Sequence, residues 1–89
     1  MAGVQTSMHW DQEALGKYNK MLHLIPIFHR GLAKEVVNKK AEQLAQARGS
    51  THVEEKDIVQ AFFSEVPKAF YSLMIRIMHD AGFDYKKYI

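Results

Sequence analysis

The chain has 89 residues, 47% hydrophobic and 25% charged, values that suit one globular domain with its own core. The absence of cysteine excludes disulfides, thiolate zinc sites, cysteine-held iron–sulfur clusters and thiol catalysis. The net charge of +2 is a weak bias: residues 1–53 hold seven Lys/Arg against four Asp/Glu and residues 54–89 five against six, so only the first half leans towards acidic partners or phosphates, and a solvated face of mixed charge explains it more simply.

The opening MAGVQTSMHW lacks the basic and apolar regions of a secretory leader, and no apolar run approaches about 18 residues, so a cytoplasmic chain without a membrane span is expected. Residues 1–8 are small and polar and read as a disordered N-terminus; residues 9–89 read as a single helical domain. Asp11 is the expected N-cap of a first helix through QEALGKYNKML, which buries Ala14, Leu15, Tyr18, Met21 and Leu22. Trp10, just ahead of the cap, anchors the helix start on the core. Ile25-Pro26 then breaks the chain, because the residue before proline avoids the helical region.

A second helix over about Pro26–Arg48, about 34 Å long, organises the rest. Pro26 suits its first turn, where no N–H is needed. Phe28, Leu32, Ala33, Val36, Val37, Ala41, Leu44 and Ala45 recur at helical spacing as its apolar stripe. Gly49 closes it as a left-handed residue past the last turn. Ser50–Val53 reads as an extended turn with room for one β-like pair. Thr51 and Glu54 have capping-box spacing and open a third helix over about Glu54–Ser64, with Ile58, Val59, Ala61, Phe62 and Phe63 towards the core. Glu54, Glu55 and Asp57 complement that helix's dipole. Pro67 starts a fourth helix whose stripe is Val66, Ala69, Phe70, Leu73, Met74, Ile77, Met78 and Ala81, ended by Gly82. The tail FDYKKYI either folds back onto the bundle or serves as a docking segment. The expected fold is all-α: four helices, with the long second helix as a spine crossed by the three shorter ones.

Little in the chain points to chemistry. The histidines His9, His23, His29, His52 and His79 form no H-x-x-x-H or H-E-x-x-H pair, and there is no glycine-rich phosphate loop or G-x-S-x-G elbow. No catalytic, metal or cofactor site is assigned. Gly31 stands out, because glycine inside a helix costs about 1 kcal/mol against alanine and permits close approach of another backbone or a ligand. A tight helix crossing is the plainer of those uses. The stripes on helices two and four offer more apolar surface than one small bundle buries, so a homodimer or a complex with another protein is expected.

Trp10-x-x-Glu13-Ala14, then Ile25-Pro26-x-Phe28-x-Arg30-Gly31-x-x-Lys34, with Ala41 and Gly49-x-x-x-Val53, resembles the small PCP-reductase domain at the C-terminus of the B subunit of light-independent protochlorophyllide reductase. The resemblance covers residues 10–62 as a core; the C-terminal helix and tail over 63–89 have no counterpart in it. It implies a non-catalytic helical accessory module of a nitrogenase-like or tetrapyrrole-related system, since that chemistry belongs to iron–sulfur centres this chain lacks. Trp10, Arg30, Gly31 and Lys34 are then the partner-contact residues, and Arg30→Ala is expected to weaken binding with stability nearly unchanged. A second likeness competes. The long helix, the turn Thr51-x-Val53 and Lys56-Asp57-Ile58-x-x-Ala61 are similar to the histone fold, which implies a hairpin arrangement and DNA-backbone contacts from Lys34, Lys39, Lys40 and Arg48.

Overall fold

The computed structural model describes residues 8–88. The disordered stretch expected over 1–8 therefore lies outside the described residues up to position 7, and Met8 packs partly buried against the core. The elements in chain order are β1 (His9–Trp10), α1 (Gln12–Leu24), α2 (Ile27–Ala47), β2 (His52–Val53), α3 (Glu55–Glu65) and α4 (Tyr71–Ala81). Single 3-10 turns occupy Lys68–Phe70 and Tyr85–Tyr88. The domain is small and all-helical apart from the two short strands.

Helix α1 begins where Asp11 accepts a hydrogen bond from the Ala14 amide at 3.0 Å, and it stops before Pro26. Its buried face is Ala14, Tyr18, Met21 and Leu22, one stripe at helical spacing. Helix α2, about 32 Å long, nearly matches the 35 Å longest dimension of the molecule. Its end is a Schellman motif. Gly49, at φ +77°, donates to the Gln46 carbonyl at 3.0 Å, and the Ser50 amide donates to Ala45 at 2.9 Å. Gly82, at φ +96°, ends α4 with the same pair of bonds, to His79 and from the Phe83 amide to Met78.

The most extensive packing joins α2 to α3, and α1 lies against α4 and α2. The expectation that α2 carries all three other helices needs correction, because α4 rests chiefly on α1. The core gathers Tyr18, Met21, Val37, Ala41, Ala45, Ile58, Val59, Phe62, Ile77 and Met78, all nearly or wholly buried. The tail folds back: Phe83 is buried, Tyr85 and Tyr88 pack partly against the core, and the Asp84 amide donates to Glu55 at 2.9 Å. Ile89 lies outside the described residues.

Two turns of the chain differ from expectation. The β-like pair at the α2–α3 turn has its partner at the far end of the sequence: β2 runs parallel to β1, with His9 opposite His52 and Trp10 opposite Val53. Because His52–Val53 is drawn into that ladder, the capping box forms three residues later than Thr51. Glu54 is the N-cap of α3, and its amide donates to the Asp57 carboxylate at 2.9 Å. The fourth helix likewise starts at Tyr71 after a 3-10 turn, leaving Ala69 and Phe70 exposed.

Candidate functional site

The four candidate contact residues do different things. Trp10 stacks on Tyr18, ring centroids 5.4 Å apart, and its Nε1 donates to Glu42 at 3.1 Å, so the indole staples β1 and α1 to α2. Lys34 is exposed, and its carbonyl accepts a long bond from the Tyr18 hydroxyl at 3.4 Å. Trp10 and Lys34 border the same shallow cleft of about 380 Å³, which Asn38, Asn19 and Leu15 also line. The Tyr18 hydroxyl donates its principal hydrogen bond to the Asn38 side chain. Arg30 serves the fold. Its Nη2 donates to the carbonyls of His23 and Ile25, both at 3.2 Å, which satisfies the open end of α1. Its Nε is buried without a partner. Arg30→Ala is therefore expected to lower stability as well as any binding, whereas the sequence alone suggests that stability stays nearly unchanged.

Gly31 corrects the simpler reading of its role. A Cβ built there would meet nothing within 4 Å among the described residues, so none of the described helices crosses α2 at that point. The surroundings are more informative. Phe28 and Leu32, expected in the core stripe, are 93% and 65% exposed, and Ile27 is 69% exposed. The first buried residue of α2 is Val37. At about 100° per residue, Phe28 and Leu32 point roughly opposite to Val37 and Ala41, so α2 carries two apolar faces. The core-facing one binds α3; the other, over its first two turns, faces outward. With Leu24 at 45% exposure just before it, this is the largest group of neighbouring exposed apolar side chains in the described sequence. It is the feature that sequence reasoning missed, and plotting the stripe by angle reveals it.

The four basic residues proposed for phosphate contact do not converge. Lys34, Lys39 and Lys40 are spread around α2, each about 100–140° from the others. Arg48 is committed within the fold. Its Nε and Nη2 grip both oxygens of Asp57 at 2.9 and 2.7 Å, and Nη2 lies 3.4 Å from Glu54. The bond to Asp57 is the chief cause that holds the Arg48 guanidinium further above its ordinary pKa. Among the described residues no group of three or more His, Cys, Asp or Glu is placed to hold a metal ion, and no helix is long and apolar enough to cross a membrane.

Two further groups are shifted, and both bear on stability. Burial pushes the Tyr18 phenol well above its ordinary value, and the 2.8 Å hydrogen bond to Glu55 raises the Lys17 ammonium. Each folded-state value lies above its unfolded value, so the contribution is complete below about pH 10 and is lost as pH rises through the folded values. The urea midpoint is therefore expected to stay level to about pH 9.5 and to fall above pH 10. Tyr18→Phe should flatten that fall, and a midpoint that drops equally in the variant would remove the phenol as its source.

No curated protein and no solved structure matches the chain. The likeness to the PCP-reductase domain over 10–62 and the histone-fold likeness are both overturned, since neither family matches and a different one covers almost the whole sequence. The quoted residues are common helix-start and helix-end chemistry: Pro26 opens α2, Arg30 caps α1 and Gly49 closes α2. That chemistry recurs in unrelated helical hairpins. From residue 4 to residue 89 the sequence matches the model of DUF2621, described as a protein of unknown function, and the chain belongs to that family.

Proposed function

We propose that this chain is a non-catalytic helical module that works through protein–protein contact, as a small accessory subunit of a larger cytoplasmic assembly. The observation that carries the reading is the outward face of α2's first two turns. Phe28 is 93% exposed there, beside Ile27 and Leu32, on a helix whose inner face is already satisfied by α3. Holding such side chains in water is unfavourable by roughly 1.5–3 kcal/mol each relative to full burial, so a folded partner surface gains from covering them. The test is recovery of the tagged full chain from its native host after nuclease treatment, beside the Phe28→Ser variant. A protein recovered in stoichiometric amount with wild type and lost with the variant supports the reading. Identical recovery by both, or recovery only of nucleic-acid-associated proteins that vanish with nuclease, contradicts it.

A further inference from the structure

We infer that the occupant of this face is a second copy of the chain, packed across a two-fold axis with the Phe28 ring of each copy over Gly31 of the other. The inference rests on the reading of the chain as an interaction module and names its partner.

Gly31 is the starting point. Glycine weakens a helix interior relative to alanine, and nothing among the described residues uses the space it leaves. Around the helix it falls between Ile27 and Phe28, which are 69% and 93% exposed. One surface thus holds a projecting ring and, less than one turn away, a gap where backbone is bare. An isologous contact needs this arrangement, because the same patch must supply both the knob and its hole. A bare helix backbone also lets a second helix approach to the closer end of the usual 8–10 Å spacing.

Area and charge agree with that occupant. Leu24, Ile27, Phe28 and Leu32, at 45, 69, 93 and 65% exposure, present on the order of 500 Å² on one copy. Covering all four completely on both copies would bury at most about 1,000 Å², the lower bound for a specific interface, with rim residues adding to it. The rim carries both signs, with exposed Lys34 next to exposed Glu35. A face built for an acidic protein or an anionic lipid surface would carry one sign.

The test is the mass of the purified full chain by light scattering and sedimentation, from a few to about 200 μM. Wild type is expected at twice its 10.3 kDa mass at the upper end of that range. Phe28→Ser is expected to be monomeric with an unchanged circular dichroism spectrum, since its side chain supports nothing in the fold. Gly31→Leu fills the gap, and dimerisation should weaken at least about tenfold while helicity and Tm stay level or rise. That combination separates a blocked docking hole from a damaged fold. A wild-type chain that stays monomeric, or a Gly31→Leu variant that dimerises as well as wild type, overturns the inference. If wild type is monomeric yet recovers a different protein through Phe28, self-association falls and the interaction-module reading stands. A monomer whose recovered proteins do not depend on Phe28 removes both.

Discussion

Replacing Arg48 by methionine is expected to lower folding stability by about 3 kcal/mol, among the largest effects of any single change in this chain. Asp57 is completely buried, and its carboxylate is held by two bonds from Arg48 and one from the Glu54 amide. Methionine keeps the length and the helix preference of arginine but leaves the buried carboxylate with one amide. The loss stays near the lower end of the range for buried pairs because the Arg48 side chain is 31% exposed and water partly compensates. The double variant Arg48→Met with Asp57→Leu should recover much of the difference, since it removes the stranded charge along with its partner. Urea titrations of the three variants measure this directly. A single-variant loss below about 1 kcal/mol would mean that the pair behaves as an exposed one.

Phe62→Ala is expected to cost about 3–5 kcal/mol, the range for deleting a fully buried ring. Phe62 is 1% exposed and meets Tyr18 edge-on, with centroids 6.0 Å apart at 71°. Tyr18 in turn stacks on Trp10 at 5.4 Å and 14°. The three rings run from α3 through α1 to β1, so a cavity at Phe62 loosens more than its own helix. Phe62→Leu refills most of the volume and should cost markedly less. The near-ultraviolet signal of Trp10, the single tryptophan, reports whether the loosening reaches the far end of the series. An unchanged tryptophan signal in a folded Phe62→Ala protein would confine the damage to α3.

The fold class was legible because three of the four helices obey local rules. Asp11, Pro26, Gly49 and Gly82 mark their boundaries by chemistry that acts within a few residues; Asp11, Gly49 and Gly82 stand where the sequence placed them, and Pro26 lies one residue ahead of α2 as its N-cap rather than in its first turn. The stripe Ala14–Tyr18–Met21–Leu22 was legible for the same reason. Helix α2 was misread because counting apolar positions at spacings of three and four merges two faces that lie on opposite sides of one long helix. Phe28 and Leu32 join that stripe by count and leave it by angle. Asp57 stands in the first turn of α3, as capping and the helix dipole led the sequence to place it, but its burial against Arg48, nine residues earlier, was not legible. The pairing of β1 with β2 was beyond reach, since two-residue strands have no period and the partners are separated by the whole of α1 and α2. For the site, the sequence placed Gly31 correctly as an anomaly but surrounded it with the wrong neighbours.

That last pairing also sets an order of events. The α2–α3 hairpin closes around a short turn and draws on contacts between residues near in sequence, which form early. The ladder joins His9 to His52 and must first close a loop of about 43 residues, whose ends find one another only at an entropic penalty that grows with loop length. The N-terminal strand is therefore the latch of the domain. By that loop length it is expected to pair after the α2–α3 hairpin and to open before it, which amide exchange at Asp11, bonded to the Val53 carbonyl, would read.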